Sequence, residues 1–333
     1  MLVSFAIVAY NEQNVLPRLL DDLSQQTYPH SLIEVLLIDS MSTDSTNSIM
    51  KTFASEHDDF YDVKVLDNPK KIIPCGHNVA LENYVGEALI RVDAHARIPS
   101  DFIEKNVEVL KAGEDAVGGR RPNIIDEATP WKETMLCAEQ SMFGSSFASY
   151  RNSNKKMYSS SLFCGMYRRK VYDRVGKYNE LLPRSEDNDM TYRMRKAGFK
   201  LCYDPDIVFY QHTRSTLTKM LKQKFLNGYW IGLTMAVSPK CFSLFHFVPF
   251  AFVLAILFTS VLALCAYPFL ALLMWVTYLL LILSISVIEF LKEPNLCKLA
   301  LPLIFLLLHL SYGVGTLIGL IYMPFWARKN VKK

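Results

Sequence analysis

Val3-Ser-Phe-Ala-Ile-Val-Ala-Tyr-Asn-Glu12 opens the chain, and Ile33-Glu-Val-Leu-Leu-Ile-Asp-Ser40 follows after a segment that spaces Val15, Leu16, Leu19, Leu20 and Leu23 at helical intervals. Each quoted run is short and apolar and ends on polar residues, the pattern of a strand buried on both faces. The spacing between them marks an amphipathic helix. Outward from this pair the alternation continues with a polar turn at 39–44, a helix at 45–56, a strand at 61–66, a helix near 77–85 and a strand at 88–92. The order predicts an open, mostly parallel α/β sheet, and ligands of such sheets sit beyond the carboxyl ends of the strands. Those ends carry Tyr10-Asn11-Glu12, Asp39-Ser40 and Asp93-Ala94-His95.

Between 99 and 201 the pattern is more mixed: a helix at 101–112, a strand near 115–118, a helix at 131–147, a polar loop at 151–161, a strand at 161–167 and a helix at 186–197. This reads as the second half of one domain that runs to about residue 236. Within 215–236, Lys219, Lys222 and Lys224 alternate with Leu221, Phe225, Tyr229 and Trp230 at helical spacing. That predicts an amphipathic helix lying in a membrane interface.

Charge divides the 333 residues sharply. Thirty basic and thirty acidic residues precede Cys241, whereas Glu289, Lys292, Glu293 and Lys298 are the only charges between Cys241 and Ala327. The net charge of +4 therefore comes from Arg328, Lys329, Lys332 and Lys333, which argues against a nucleic-acid binder and for a chain end at a membrane surface. Three apolar stretches, 243–266, 269–290 and 299–323, predict about three transmembrane helices within 241–326, followed by a basic tail at 327–333. A 24-residue helix spans about 36 Å against a hydrocarbon core of about 30 Å. The apolar start is too short for a signal-peptide core, so the expectation is a multi-pass protein of the cell (inner or plasma) membrane with a cytoplasmic catalytic half. Three full spans would then put the basic tail outside, so either one stretch is re-entrant or the tail breaks the positive-inside rule. The seven cysteines, odd in number and without a Cys-x-x-Cys pair, fit neither a disulfide framework nor a zinc site.

Val8-Ala-Tyr-Asn-Glu12 with Asp39-Ser-Met-Ser-Thr-Asp44, followed in order by Asp93-Ala-His95, Glu186-Asp187 and the element from Gln223 to Trp230, resembles the family-2 glycosyltransferases over most of residues 3–232. Arg91-Val-Asp-Ala-His-Ala96 and the Gln223 to Trp230 element are similar to bacterial enzymes of the succinoglycan-biosynthesis type. The resemblance implies a GT-A, Rossmann-like nucleotide-sugar domain over 1–236. It also implies inverting transfer of a sugar from a nucleotide diphosphate, usually a uridine one, to a growing cell-surface polysaccharide such as an exopolysaccharide or capsule. Carried over position by position, it assigns donor binding to Ala9, Tyr10, Asn11, Glu12, Asp39, Ser40, Asp93 and Ala94, a metal motif to Asp93 and His95, and the catalytic pair to Glu186 and Asp187. Ser40 and Met41 stand where the family commonly has Asp and Gly, and Val8 replaces a frequent Pro.

The chemistry of these residues can be read beside the resemblance. Asp39 at a strand end can accept hydrogen bonds from a base N–H or a ribose hydroxyl, or cap its own turn. A departing diphosphate calls for a divalent cation. His95 in place of a second carboxylate tilts the preference from Mg²⁺ toward Mn²⁺, although a lone histidine is as readily structural. His212 is a second candidate metal or diphosphate contact, with Arg214 two residues on. Glu186, Asp187 and Asp189 share the first turn of a helix whose positive end favours ionised acids. Helix capping is the bland explanation; on the resemblance, Asp187 is the general base and Glu186 orients acceptor or base. Gln223 and Trp230 look like a reduced acceptor-holding element of processive synthases, while Tyr229 and Trp230 serve equally as lipid anchors.

The expected partners are a nucleotide-sugar donor, a polyprenyl-diphosphate-linked oligosaccharide acceptor and the membrane, without nucleic acid. The near alternative is a polyprenyl-phosphate monoglycosyltransferase acting on a bare lipid phosphate. A nicotinamide oxidoreductase would need a Gly-x-Gly-x-x-Gly after the first strand, which is absent, and a non-catalytic membrane scaffold is the remaining alternative.

Overall fold

The computed structural model describes residues 1–144 and 153–331 and divides into two compact units. The first comprises Met1–Pro122 and the described part of 150–212, the second the described parts of 123–149 and 213–333. Chain order runs β1 (Val3–Ala9), α1 (Leu16–Ser24), β2 (Ile33–Asp39), α2 (Thr46–Glu56), β3 (Asp62–Asp67), α3 (Ile73–Asn83), β4 (Ala88–Asp93), β5 (Ala96–Arg97), α4 (Phe102–Lys111) and β6 (Ala116–Arg120). β7 (Asn123–Ile124) and α5 (Pro130–Gln140) belong to the second unit. β8 (Met157–Ser159), β9 (Met166–Arg168), α6 (Arg169–Val175), α7 (Glu186–Lys196), β10 (Leu201–Val208) and β11 (Tyr210–His212) return to the first.

Every residue of β2 is buried, and each fully buried Val, Leu or Ile side chain stabilises the fold by about 1.5–3 kcal/mol. Of the two acidic residues in that strand, Glu34 is satisfied by Lys64 Nζ at 2.6 Å, by the Ser4 hydroxyl and by the Val85 N–H at 2.8 Å. β1 pairs in parallel with β2 and β4, and β2 with β3, in registers that set Asp67 opposite Asp39, Asp39 opposite Ala9 and Asp93 opposite Val8. One edge of the sheet thus gathers the ends of four strands.

Eight strands lie in the order β3-β2-β1-β4-β9-β6-β10-β8. The parallel expectation holds as far as β4, after which β9 runs antiparallel to both β4 and β6, and β8 antiparallel to β10. These insertions are three residues long, too short to carry a periodicity. The strand expected at 161–167 is interrupted because Cys164 takes a left-handed conformation (φ 42°), and only Met166–Arg168 joins the sheet. The helix expected at 131–147 ends at Gln140, and residues 145–147, like 151 and 152 of the expected polar loop, lie outside the described residues.

The second unit adds α8 (Leu217–Thr234), α9 (Val248–Leu264), α10 (Phe269–Lys292) and α11 (Leu301–Asn330). Among the described residues three helical segments, Leu244–Leu264, Phe269–Lys292 and Leu296–Asn330, are long and apolar enough to cross a membrane. Leu257, Phe258, Leu272 and Leu280 on the first two are exposed, as side chains facing lipid would be. α11 continues past the expected end at 323 and takes up Arg328 and Lys329 of the basic tail; Lys332 and Lys333 lie outside the described residues.

α8, expected as an interfacial helix of the catalytic domain, instead packs along α11 in the second unit. Gly232 on α8 meets Gly319 on α11, Gly228 lies against Tyr312 and Thr316, and a methyl group added at Gly315 would sit 2.2 Å from the Phe225 carbonyl oxygen. Small residues at such spacing let two helix backbones touch. Lys224 is consequently buried, with Nζ 3.7 Å from Glu139 Oε1, while Lys219 and Lys222 remain exposed. The basic and aromatic residues of α8 concealed this glycine pattern, because both sets share one helix.

Gly315→Ala tests the packing by the sign of its effect. In an open helix the change would stabilise by about 1 kcal/mol, whereas overpacking here should cost about 1–3 kcal/mol. The measurement is the thermal midpoint of the detergent-purified protein; an unchanged or raised midpoint would contradict the close approach of α8 and α11.

Candidate active site

The loops after β1 and β2 are stitched together by their own polar groups. The Asn11 N–H donates to Ser42 Oγ (3.0 Å), the Thr43 N–H donates to Asn11 Oδ1 (2.8 Å) and the Glu12 N–H donates to Thr46 Oγ1 (2.8 Å). The Ser40 N–H donates to the Ala9 carbonyl at 2.8 Å, and Asn68 Nδ2 donates to Ser40 Oγ at 3.0 Å. Ala9 and Ser40 are buried in this platform, whereas Tyr10 is half exposed. Asn11 (φ 55°), Met41 (φ 60°) and Lys71 (φ 62°), which follow β1, β2 and β3, all take the left-handed conformation. Met41 thus adopts a glycine-like backbone without being glycine. Strained positions of this kind concentrate at ligand sites because the surrounding structure must hold them there.

Asp39 is buried, and its carboxylate accepts from the Ser42 N–H at 3.1 Å and from Asn47 Nδ2 at 3.0 Å. These contacts hold the turn that follows β2.

A cleft in the same unit is lined by Arg91, Asp93, Arg121, Phe163, Cys164, Asp187 and Phe209. β4 supplies Arg91 and Asp93 two residues apart, so both side chains leave the same face of the strand. Asp93 is exposed and its neighbour Ala94 is buried. Arg91 is buried and donates through Nη2 to Asp187 Oδ1 (2.5 Å) and through Nη1 to His77 Nε2 (2.5 Å), with its guanidinium 4.8 Å over the Tyr178 ring. Arg121 lies over the Phe163 ring at 3.9 Å. Burial, and after it the charge of Asp93, pushes the Cys164 thiol up and leaves it no nucleophile at neutral pH.

Three acids in the first turn of α7 meet three different fates. Asp187 turns to the cleft with its side chain 37% exposed. Glu186 is buried, and burial followed by the nearby Asp187 charge pushes its carboxyl up to about 8, so it holds its proton at neutral pH. Asp189 is not a capping residue: it accepts from Arg193 Nε at 2.9 Å, and Arg193 in turn donates to the Val175 carbonyl at 2.6 Å.

His95 sits beside β5, and its Nε2 accepts from Gln211 Nε2 at 3.3 Å. β5 pairs antiparallel with β11, Tyr210 opposite Arg97 and Gln211 opposite Ala96; the same register carried one residue further sets His212 opposite His95. Among the described residues no three His, Cys, Asp or Glu side chains converge on a point that could hold a metal ion. Asp93 is an exposed carboxylate on β4, and the two imidazoles lie on neighbouring segments, a mixed oxygen and nitrogen set of a kind that divalent cations accept. Arg214, Gln223 and Trp230 belong to the second unit, where Arg214 is exposed and the Trp230 ring packs edge-on against Trp326 of α11. Sequence reasoning passed over Arg91 as a working side chain, although an arginine inside a buried strand is itself a signal. For His77 and Tyr178 the sequence offers no signal.

The protonation of Glu186 has a measurable consequence. Its folded-state value lies above the ordinary 4.5, so the native state binds the extra proton, and stability is lost as pH rises from the ordinary carboxylate range to about 8. Between about pH 5 and 9 the thermal midpoint of the wild-type chain should fall relative to Glu186→Gln, which cannot ionise. Parallel curves would mean that Glu186 is not held protonated.

The model of Glycosyl transferase family 2 matches residues 4–176. The chain is 27% identical over 330 residues, covering 96% of itself and 97% of the relative, to a dolichyl N-acetyl-alpha-D-glucosaminyl phosphate 3-beta-D-2,3-diacetamido-2,3-dideoxy-beta-D-glucuronosyltransferase of Methanococcus voltae. It is also 27% identical over 229 residues to succinoglycan biosynthesis protein ExoA of Rhizobium meliloti (strain 1021), covering 68% of this chain and 67% of that one. Among solved structures it is similar to mannosyltransferase PcManGT from Pyrobaculum calidifontis, in complex with GDP-Man and Mn²⁺, with a TM-score of 0.63 and 18% identity over 95% of this chain and 86% of that one. At that identity the likeness speaks for the fold. With the family model spanning just over half of its length, and with strand ends and acidic residues arranged as described, the chain belongs to glycosyl transferase family 2 and is a glycosyltransferase with a GT-A fold.

Proposed function

We propose that this chain transfers a sugar, with inversion, from a nucleotide diphosphate sugar to a membrane-held, polyprenyl-linked glycan during cell-surface polysaccharide synthesis. The donor in this reading is a uridine diphosphate sugar and the catalytic unit faces the cytoplasm. The observation that carries the reading is the meeting of Asp93 and Asp187 in one cleft. Asp93 lies at the end of a parallel strand, where donor phosphates belong, and Asp187 is the partly exposed carboxylate across from it. The lipid-linked acceptor is supported by the full-length similarity to an enzyme whose named substrate is a dolichyl-phosphate-linked sugar.

In the reaction, Asp187 takes the proton of the acceptor hydroxyl as its oxygen attacks the anomeric carbon. The bond to the diphosphate breaks on the opposite face and leaves its electron pair on the departing oxygen, so the anomeric centre inverts. Glu186, protonated and buried behind Asp187, adds no second negative charge to the site. Arg91 and Arg121 supply positive charge at the wall of the cleft. A divalent cation, when bound, neutralises charge on the leaving diphosphate, and Asp93 would hold it with His95 and His212 as nitrogen donors.

The donor can be chosen by thermal stabilisation of the purified protein across UDP- and GDP-sugars with Mn²⁺. Turnover is then measured on synthetic polyprenyl-phosphate-linked N-acetylglucosamine and, in parallel, on bare polyprenyl phosphate. Transfer to the bare phosphate alone would make the chain a monoglycosyltransferase. Asp187→Asn should lower turnover about 100-fold to 10,000-fold, or roughly 3–5 kcal/mol of barrier, with little change in donor affinity. Normal turnover in that variant would remove Asp187 as the base. Asp93→Ala should abolish the Mn²⁺-dependent part of the stabilisation by donor, and full activity in excess chelator would contradict a metal role for Asp93, His95 and His212.

A further inference from the structure

Arg91 spans three elements from a buried position. Its Nη1 meets His77 Nε2 of α3 and its Nη2 meets Asp187 Oδ1 of α7, both at 2.5 Å, and its guanidinium covers Tyr178 in the segment between α6 and α7. A guanidinium nitrogen only donates, so Nε2 of His77 accepts. The imidazole is then neutral with its proton on Nδ1, and that buried nitrogen has no partner among the described residues. Burial, followed by the charge of Arg91, holds His77 well below the usual histidine range, in agreement with this geometry. The same helix is tied to the same segment through Asn78, whose Nδ2 donates to the Tyr178 carbonyl (3.0 Å) and whose Oδ1 accepts the Tyr178 N–H (2.8 Å). The first turn of α7, which carries Asp187, is held from its side by Arg91.

We propose that Arg91 is a positioning residue that aims the Asp187 carboxylate, and that His77 sets the aim by fixing the other arm of the guanidinium. The proposal rests on the reading of Asp187 as the base. Only a planar fork reaches two partners on different elements at once, which a lysine ammonium cannot reproduce. His77 is 4% exposed and is not among the residues that line the cleft, so it acts on turnover through the groups it touches, the Arg91 guanidinium and the Tyr178 ring 5.1 Å away that the guanidinium covers. A carboxylate held on one oxygen by Arg91 keeps the other for the acceptor hydroxyl, and misplacement by about 1 Å is enough to cost on the order of 100-fold in rate.

The test uses the full-length, detergent-purified chain with the donor chosen by thermal stabilisation and synthetic polyprenyl-phosphate-linked N-acetylglucosamine as acceptor. Glutamine carries its amide oxygen where histidine carries Nε2, and asparagine carries it where histidine has Nδ1. His77→Asn and Arg91→Lys should therefore lower kcat at least about tenfold with donor KM within about twofold, and His77→Gln should recover most of the turnover that His77→Asn loses. Thermal midpoints establish that each variant is folded. If His77→Gln is as slow as an equally folded His77→Asn, or if the losses appear in donor KM, the positioning role is overturned. Should His77→Asn fail to fold, Arg91→Lys and His77→Gln decide: wild-type kcat in the first, or a tenfold loss in the second, overturns it. Normal turnover in Asp187→Asn removes the base reading itself, whereas a crippled Asp187→Asn beside undiminished Arg91→Lys and His77→Asn removes only the positioning role.

Discussion

The parallel register of β1 with β2 and β4 is the constraint on which the site depends. Parallel strands must start level if their buried runs are to share one core, and so they also end level. Level ends put Ala9, Asp39 and Asp93 along one edge, where the chain must turn sharply into the next helix. The turns are tight enough that Asn11, Met41 and Lys71 are held with positive φ, and the loops after β1 and β2 are tied together by the Asn11 N–H on Ser42 Oγ and the Thr43 N–H on Asn11 Oδ1. A rigid, polar shelf at the end of an apolar sheet is a direct consequence.

Charge within the first unit is arranged by burial more than by residue type. Glu34, at zero exposure, is surrounded by Lys64, Ser4 and the Val85 amide at the far end of the strands. Glu186 has no such company, and its side chain keeps a proton instead. Asp187, one residue on, reaches Arg91 and the cleft. Removing a carboxylate from water costs several kcal/mol unless partners repay it, and these three residues show the two solutions: pairing and neutralisation.

In the second unit the organising contact is backbone against backbone. Hydrophobic burial gives helices in lipid little reason to associate, since lipid chains are as apolar as leucine. The glycines of α8 and α11 allow an approach close enough for dispersion and main-chain contact to hold the pair. α8 belongs structurally with the apolar helices even though its Lys219, Lys222 and Tyr229 give it the composition of a surface helix. His309 of α11 adds a polar tie, with Nε2 2.7 Å from the Phe143 carbonyl and Nδ1 3.0 Å from the Tyr278 hydroxyl.

Much was determined by the sequence alone. The alternation from Val3 to Val92, the ordered acidic motifs and the nearly uncharged stretch after Cys241 are local or periodic signals, and they were enough for the α/β class, the family and the helices apolar enough to cross a membrane. The three-residue strands β8 and β9 carry no period, and the packing of α8 along α11 is not written in the composition of either helix. The fates of Glu186, Asp187 and Asp189 were closed to sequence reading for a related reason: all three share one turn and one chemistry, and what separates them is the set of groups that other elements bring close. Arg91 comes from β4, His77 from α3 and Arg193 from the next turn of α7. Such meetings between residues up to 96 positions apart exist only once the sheet has closed and its helices have packed. A charge-paired carboxylate is therefore a property of the tertiary structure, because the dielectric and the partners that define it are not present along the chain.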